Sequence, residues 1–290
     1  MNNPGQTWAT LLTNDNYLRG VITLNYSLQR VNSKFSLLVL IAEAVSSDAI
    51  TELEKAKIKT RNVAFIRPKH HKGYDIDTRF NECWTHLTAF SLFEYERVVL
   101  LDADMVVLQN PDEIFDIDMQ RGQLAAAHAC VCNPMHIERY PKDWIPSNCA
   151  YTHQSSDDAA KMGMPNTIGL RTLNGGMQMI CPKEEVFQDI LSIVHSEEAA
   201  SYAFAEQTLL SKYFDGKWIP LSYKYNALKT LRWCHTDVWK DEDVKIVHYI
   251  LTPKPWDDTR ESKEETHRWW WKIEDERLAR LGGNSITKTG

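Results

Sequence analysis

Short apolar runs alternate with stretches of helical periodicity along the chain, and this alternation predicts most of its elements. Residues 7–13 (TWATLLT) read as a buried strand, with Asn14-Asp15-Asn16 as turn and cap. Over 17–30, Leu18, Val21, Ile22, Leu24 and Leu28 recur at helical spacing. Residues 36–42 (SLLVLIA) form a second apolar run of strand length, 47–57 read as a helix capped by Ser47-Asp48, and 62–67 as a third strand. Strand, helix, strand, helix, strand in about 60 residues predicts right-handed parallel βαβ units.

Residues 78–95 carry an amphipathic helical pattern, and 97–101 (RVVLL) are a strongly apolar strand ending on Asp102. Apolar residues 105–108 follow, then an Asn110-Pro111 turn and a strand at 124–129. Residues 131–170 are rich in Pro, Asn, Ser and Asp without clear periodicity, which predicts a long, partly helical surface insertion of the kind that builds a binding site. Segment 173–181 holds Asn174-Gly175-Gly176 as a turn entering a strand at 177–180. Helices are expected at 182–195 and 206–213, and strands at 217–221 and 244–249. The expected architecture is α/β: a Rossmann-like, mainly parallel sheet flanked by helices, in one domain over residues 1–256. Residues 257–290 form a charged helical tail packed on it through Trp269-Trp270-Trp271, with disorder from 282 onward.

Composition narrows the function classes. The chain has 290 residues and a net charge of −6. An acidic chain has no broad cationic field, so nucleic acid is not an expected partner. A bound diphosphate must then be neutralised locally, by a metal or a few placed cations. No stretch approaches the roughly 20 apolar residues that span a bilayer, and the start lacks a secretory signal, so no membrane partner and a cytoplasmic location are expected. The six cysteines are scattered, and Cys130-Val131-Cys132 is too short for the usual zinc spacing, so all read as reduced thiols. Oligomeric state is left open, with a homodimer as the common prior.

The strongest chemical feature is RVVLLDADMVV, where an apolar strand drops into Asp102-Ala103-Asp104. In an open parallel sheet ligands bind beyond the carboxyl ends of strands. Two carboxylates there suit Mn²⁺ or Mg²⁺, which keep open positions for phosphate oxygens. A bare D-x-D elsewhere reads as two solvated acids in a turn. In VKIVHYILTPKPW, His248 follows a strand as a third ligand candidate, and Lys254 lies one loop on as a phosphate contact. In LNGGMQM, the two glycines permit unusual backbone or close approach of a ligand, and Asn174 can donate and accept. Glu206-Gln207 opens a helix, a place where the macrodipole alone favours a carboxylate.

Together these segments resemble glycosyltransferase family 8, the retaining group that includes glycogenin and galactinol synthase. The resemblance covers residues 7–256 through TLLTNDNYLRG, DAD, LNGG, the Glu-Gln pair and HY-x4-KPW in order. It implies a glycosyltransferase A-type fold and Mn²⁺-dependent retaining transfer of a hexose from UDP-glucose or UDP-galactose to a hydroxyl of a small polyol, sugar or glycan. By the same resemblance, Leu11, Thr13, Asn14 and Tyr17 match the loop at uridine and ribose, and Arg79 the basic residue near the donor phosphates. Asp102, Asp104 and His248 match the metal ligands, and Ala103 the backbone position beside the ribose. Asn174 and Gly175 match the donor-sugar contacts, Glu206 and Gln207 the pair beside the anomeric carbon, and Lys254 the phosphate lysine.

The sequence also departs from the family pattern. His86 stands where the family has lysine, and an imidazole need not be charged at neutral pH. Glu206 replaces a shorter Asp, Leu251 a Gly whose amide meets phosphate, and Ala203 an acidic residue. The segment 131–170 offers His136, Arg139, Tyr140, Trp144 and His153 to a hydroxyl-rich acceptor. Two rival readings are a sugar nucleotidyltransferase, which needs a glycine-rich basic loop that 13–17 lacks, and a non-catalytic nucleotide-sugar-binding relative.

Overall fold

The computed structural model describes residues 5–70 and 80–286. Its main sheet has seven strands in the order β3-β2-β1-β4-β7-β6-β8. These are β1 (Gln6–Leu12), β2 (Leu37–Ile41), β3 (Lys59–Asn62), β4 (Arg97–Leu101), β6 (Leu124–His128), β7 (Leu173–Ile180) and β8 (Ile219–Pro220). β5 (Met105–Val107), β10 (Ile246–His248) and β9 (Ala227–Leu228) make a second, three-stranded sheet. Strands β1 to β4 pair in parallel as the βαβ pattern requires, but β7 runs antiparallel to both β4 and β6. The helices are α1 (Leu18–Arg30), α2 (Ser47–Lys55), α3 (Phe80–Cys83), α4 (Glu184–Val194), α5 (Ala205–Tyr213), α6 (Leu231–Cys234) and α7 (Glu265–Ile286).

Both faces of the central strands are covered, which is why they read as continuous apolar runs rather than alternating ones. One cluster, with Trp8, Leu24, Val39, Val99 and Met177, lies under α1 and α2. Another, with Ala9, Leu100, Ile190, Leu209 and Trp218, lies under α4 and α5. A third joins the small sheet to α7 through Val247, Tyr249 and Trp270.

Several boundaries differ from the sequence expectation. The third strand is 59–62 (KTRN), not 62–67; as an edge strand it is largely exposed, so its polar residues gave no apolar signal. α2 is capped by Ser46, whose hydroxyl accepts from the Ala49 amide, not by Ser47-Asp48. Of the helix expected at 78–95, residues 78–79 lie outside the described residues; from Phe80 on there is a single turn, α3, followed by a 3₁₀ stretch, Trp84–Ser91, that buries five of its side chains. LNGG is not a turn: β7 runs straight through it. No helix among the described residues is long and apolar enough to cross a membrane. Disorder expected from 282 falls partly on 287–290, outside the described residues; before them α7 continues to Ile286.

α7 packs against α1. Trp270 and Trp271 are buried, and the Arg19 guanidinium lies 5.3 and 4.6 Å over their rings. Glu274, also buried, accepts from Arg19 (3.1 Å), Thr23 (2.9 Å) and Arg277 (2.7 Å). Burial opposes its charge, but Arg277, Thr23 and Arg19 outweigh burial and hold the carboxyl below its usual value of 4.5. Glu274→Ala is therefore expected to cost about 3 kcal/mol in urea unfolding, the scale for removing one partner of a buried charge network. Because the folded pKa is the lower one, the stabilisation is complete above pH 4.5 and is lost as pH falls through the folded value. The variant's stability deficit should shrink over that acid range.

Candidate functional site

The site lies where the two sheets meet. β4 delivers Asp102 at its carboxyl end, and the Asp102 amide donates to Gly176 O of β7 at 2.7 Å. Two residues on, Asp104 leads into β5, which pairs antiparallel with β10 and sets His248 opposite Met105. His248 Nε2 is thereby 3.4 Å from Asp102 Oδ2 and 3.3 Å from Asp104 Oδ1. The carboxylate and imidazole atoms of all three lie within 4.8 Å of one another.

The donor set fits a divalent cation. Two hard carboxylates face a neutral-capable imidazole whose other nitrogen, Nδ1, is 2.9 Å from Asn226 Oδ1. That contact fixes Nδ1 as the N–H donor when the ring is neutral and leaves Nε2 to ligate. The space is also shaped for it: a Cβ on Gly176 would stand 2.2 Å from His248 Cε1 and 2.8 Å from Asp102 Oδ2. These glycines serve proximity, not unusual backbone.

Electrostatics follow from burial and crowding. Burial favours neutral His248, but Asp104 and Asp102 outweigh it and raise the ring to about 9. Burial likewise works against both carboxylates. His248 and His86 still hold Asp102 well below the usual range, and Lys254 and His248 lower Asp104. His86 is 3.3 Å from Asp102 Oδ1 through Nε2, with Nδ1 3.0 Å from Cys83 O. Its pKa rises to about 9 against the effect of burial, through Asp102 and Glu206. Asp102 and Glu206 thus favour the charged form of this imidazole, which stands where the family pattern has lysine. Buried Lys254 donates to Asp104 Oδ2 and, at 2.8 Å, to Tyr249 O.

The sugar-side candidates adjoin this cluster. Gln207 Oε1 accepts from the Gly175 amide at 3.0 Å, and Asn174 Oδ1 accepts from the Gly176 amide and from Asn226 Nδ2. Glu206 is buried, and burial raises its pKa to about 7. Its Oε2 has no hydrogen-bond partner among the described residues.

One open cleft is lined by Leu11, Thr13, Asn14, Tyr17, His86, Asp102, Ala103, Asp104, Asn174, Gly175, Glu206, Gln207, His248, Leu251 and Lys254. Arg79 lies outside the described residues. Leu251 holds φ +63°, the left-handed region in which glycine is the unstrained choice. Of the insertion, Tyr140 and Trp144 line the cleft with Asn133, Met135 and Ile137, whereas His136, Arg139 and His153 do not. Trp144 stacks on Phe204 at 4.4 Å, giving that wall an aromatic surface.

Sequence reasoning missed Asn226 and Gly20. A Cβ on Gly20 would meet Ala103 O at 2.3 Å, so this helix glycine lets α1 close on the DAD loop. A glycine inside a helical pattern was the available signal; Asn226, in a short turn before β9, gave none.

Known proteins resemble this chain over most of its length. The sequence model of glycosyl transferase family 8 matches residues 9–260. Galactinol synthase 6 of Arabidopsis thaliana is 27% identical over 288 residues, covering 94% of this chain and 82% of its own. Galactinol synthase 1 of Ajuga reptans is 26% identical over 291 residues, covering 95% and 83%. The solved galactosyltransferase LgtC superposes with a TM-score of 0.63 at 14% identity, over 93% of this chain and 96% of its own. The apo form of the glycosyltransferase GlyE of Streptococcus pneumoniae TIGR4 gives 0.64 at 17% identity, over 97% of this chain but only 64% of its own. At such identities these structures speak for the fold, which is the glycosyltransferase A type.

Proposed function

The chain belongs to glycosyl transferase family 8, and on that premise we propose that it moves a hexose, glucose or galactose, from a UDP-sugar to a hydroxyl acceptor with retention and with a divalent cation. The observation that carries this reading is the Asp102-Asp104-His248 triangle set against Gly176, with Gln207 and Glu206 alongside. Family membership also separates the chain from the nucleotidyltransferase alternative.

A bound Mn²⁺ or Mg²⁺ would supply Lewis-acid stabilisation of the leaving diphosphate. The protein's own groups do the rest. Asp102, Asp104 and His248 would hold the cation, and Lys254 would place a positive charge for phosphate beside them. Leu11, Thr13, Asn14, Tyr17 and the Ala103 backbone form the uridine and ribose side. Asn174, Gly175 and Gln207 orient the sugar. His86 sets an imidazole beside Asp102, which adds positive charge there when protonated. The bond from the anomeric carbon to UDP breaks, the acceptor oxygen bonds to the same face, and its proton passes to the departing phosphate oxygen. The aromatic wall of Tyr140, Trp144 and Phe204 suits a sugar or polyol acceptor.

The test is UDP release from UDP-glucose and UDP-galactose with Mn²⁺, against a panel of polyols and sugars, with the product anomer read by NMR. Because galactinol synthases are among the relatives, UDP-galactose with a small polyol heads the panel. Metal-dependent release and a retained anomer are expected; no turnover of any UDP-sugar, or turnover untouched by chelation, rejects the reading.

Glu206 also decides between chemical routes. Burial raises its carboxyl to about 7, which favours the protonated form and a hydrogen-bonding role over a standing carboxylate nucleophile. Glu206→Gln is expected to keep turnover within about ten-fold, near the worth of one hydrogen bond of roughly 1 kcal/mol. Loss by several orders of magnitude would favour a covalent route through this carboxylate.

A further inference from the structure

Three of the six cysteines that looked scattered converge in space. Cys130, Cys132, Cys149 and His235 bring one ligand atom each to within 4.8 Å of all the others. We propose that these four residues form a structural zinc site that fastens the 131–170 insertion to the wall of the cleft.

The distances suit a tetrahedron. His235 Nε2 lies 3.1 Å from Cys132 Sγ, 3.5 Å from Cys149 Sγ and 3.6 Å from Cys130 Sγ. Zinc–sulfur bonds of about 2.3 Å and zinc–nitrogen bonds of about 2.0 Å give a tetrahedral sulfur–nitrogen edge of about 3.5 Å. One imidazole nitrogen carries at most one proton or one lone pair, so hydrogen bonding does not explain three thiols gathered around it. Three soft sulfurs and an imidazole select zinc over the hard cations that the Asp102-Asp104-His248 set suits. Four protein ligands leave no open position, which marks a structural site rather than a catalytic one.

The placement explains the need. Cys130 and Cys132 follow β6, Cys149 lies between two 3₁₀ turns (Pro146–Asn148 and Ala150–His153), and His235 ends α6. Among the described residues of the insertion these turns are its only regular elements, so it has little backbone pairing of its own. Cys149 is fully buried, and Tyr151 packs on the His235 ring at 5.7 Å. The short C-x-C failed the zinc-spacing test because its remaining ligands come from two distant loops.

The experiment measures metal in the whole chain, purified reduced and dialysed against EDTA. About one zinc per chain is expected, released by an organomercurial. It should be retained in Asp104→Asn and in Cys181→Ser, and lost in Cys149→Ser and His235→Ala with a lower Tm. If those two variants do not fold, cobalt exchange into the wild-type chain reads the same site through thiolate charge-transfer bands and intense tetrahedral d–d bands. A wild-type chain that takes up no zinc when reduced and supplied with it overturns the proposal. So does zinc that leaves with Asp104 rather than Cys149, or a disulfide among the three thiols.

Discussion

Gly176→Ala is expected to fold and to lose at least about 100-fold in kcat/KM, the scale on which a shift of about 1 Å in a catalytic group acts. The new methyl group would sit 2.2 Å from His248 Cε1 and 2.8 Å from Asp102 Oδ2. Neither neighbour yields freely. His248 is buried and held through Nδ1 by Asn226, itself tied to Asn174. Asp102 is anchored by its backbone bond to Gly176 O. The imidazole must therefore move away from the carboxylates, and the three ligand atoms spread. Mn²⁺ affinity should fall with activity, by about 10- to 100-fold for disturbed ligand support. Gly175→Ala supplies the graded control. There the Cβ meets Glu206 Oε1 at 3.0 Å and the Gln207 Cβ at 3.4 Å, and a carboxylate tip can swing aside. Its loss should be clearly smaller. A Gly176→Ala enzyme within ten-fold of wild type, binding Mn²⁺ normally, would show that the triangle is not the cation site.

The same triangle shows which parts of the site were legible in sequence. Asp102 and Asp104 were visible because an apolar strand ends on them, and strand ends are where parallel sheets bind ligands. His248 and Lys254 were visible as residues of a strand and its following loop. The direction of β7 was not legible, since strand polarity leaves no trace in periodicity; yet the antiparallel run past β4 is what sets Gly176 against Asp102. Asn226 and the Cys130-Cys132-Cys149-His235 cluster were hidden for a related reason. Their partners are remote in sequence, and the elements carrying them are two to four residues long or irregular. His86 shows the opposite limit: its position was read from the family pattern, but the pull on its charge comes from Asp102 and Glu206, which only the fold brings to it. Central strands gave strong signals because both faces are buried, whereas the edge strand β3 was misplaced because its residues face water.

Asp104→Asn is the second large effect, and it separates function from stability. The side chain serves two partners: His248 Nε2 at 3.3 Å on the cation side, and the buried Lys254 ammonium on the other. An amide ligates a divalent cation far less well than a carboxylate, so transfer should drop by several orders of magnitude and Mn²⁺ binding with it. The substitution also leaves Lys254 facing an amide and the Tyr249 carbonyl in place of a carboxylate. Removing one partner of a buried ion pair costs about 3–5 kcal/mol, so the variant should unfold at clearly lower urea. Adding Lys254→Met removes that buried ammonium and keeps its volume. The double variant should recover most of that stability, because replacing a buried pair by apolar groups is often neutral. On the proposed function it should recover no activity, since that reading assigns the lost carboxylate to the cation and the lost ammonium to the phosphate. If the double variant regains transfer together with stability, Asp104 acts only as a structural counter-ion for Lys254, and the cation must be held elsewhere. If Asp104→Asn is as stable as wild type but inactive, the buried pair contributes nothing to folding, and the Lys254 contact exists for the donor phosphate alone.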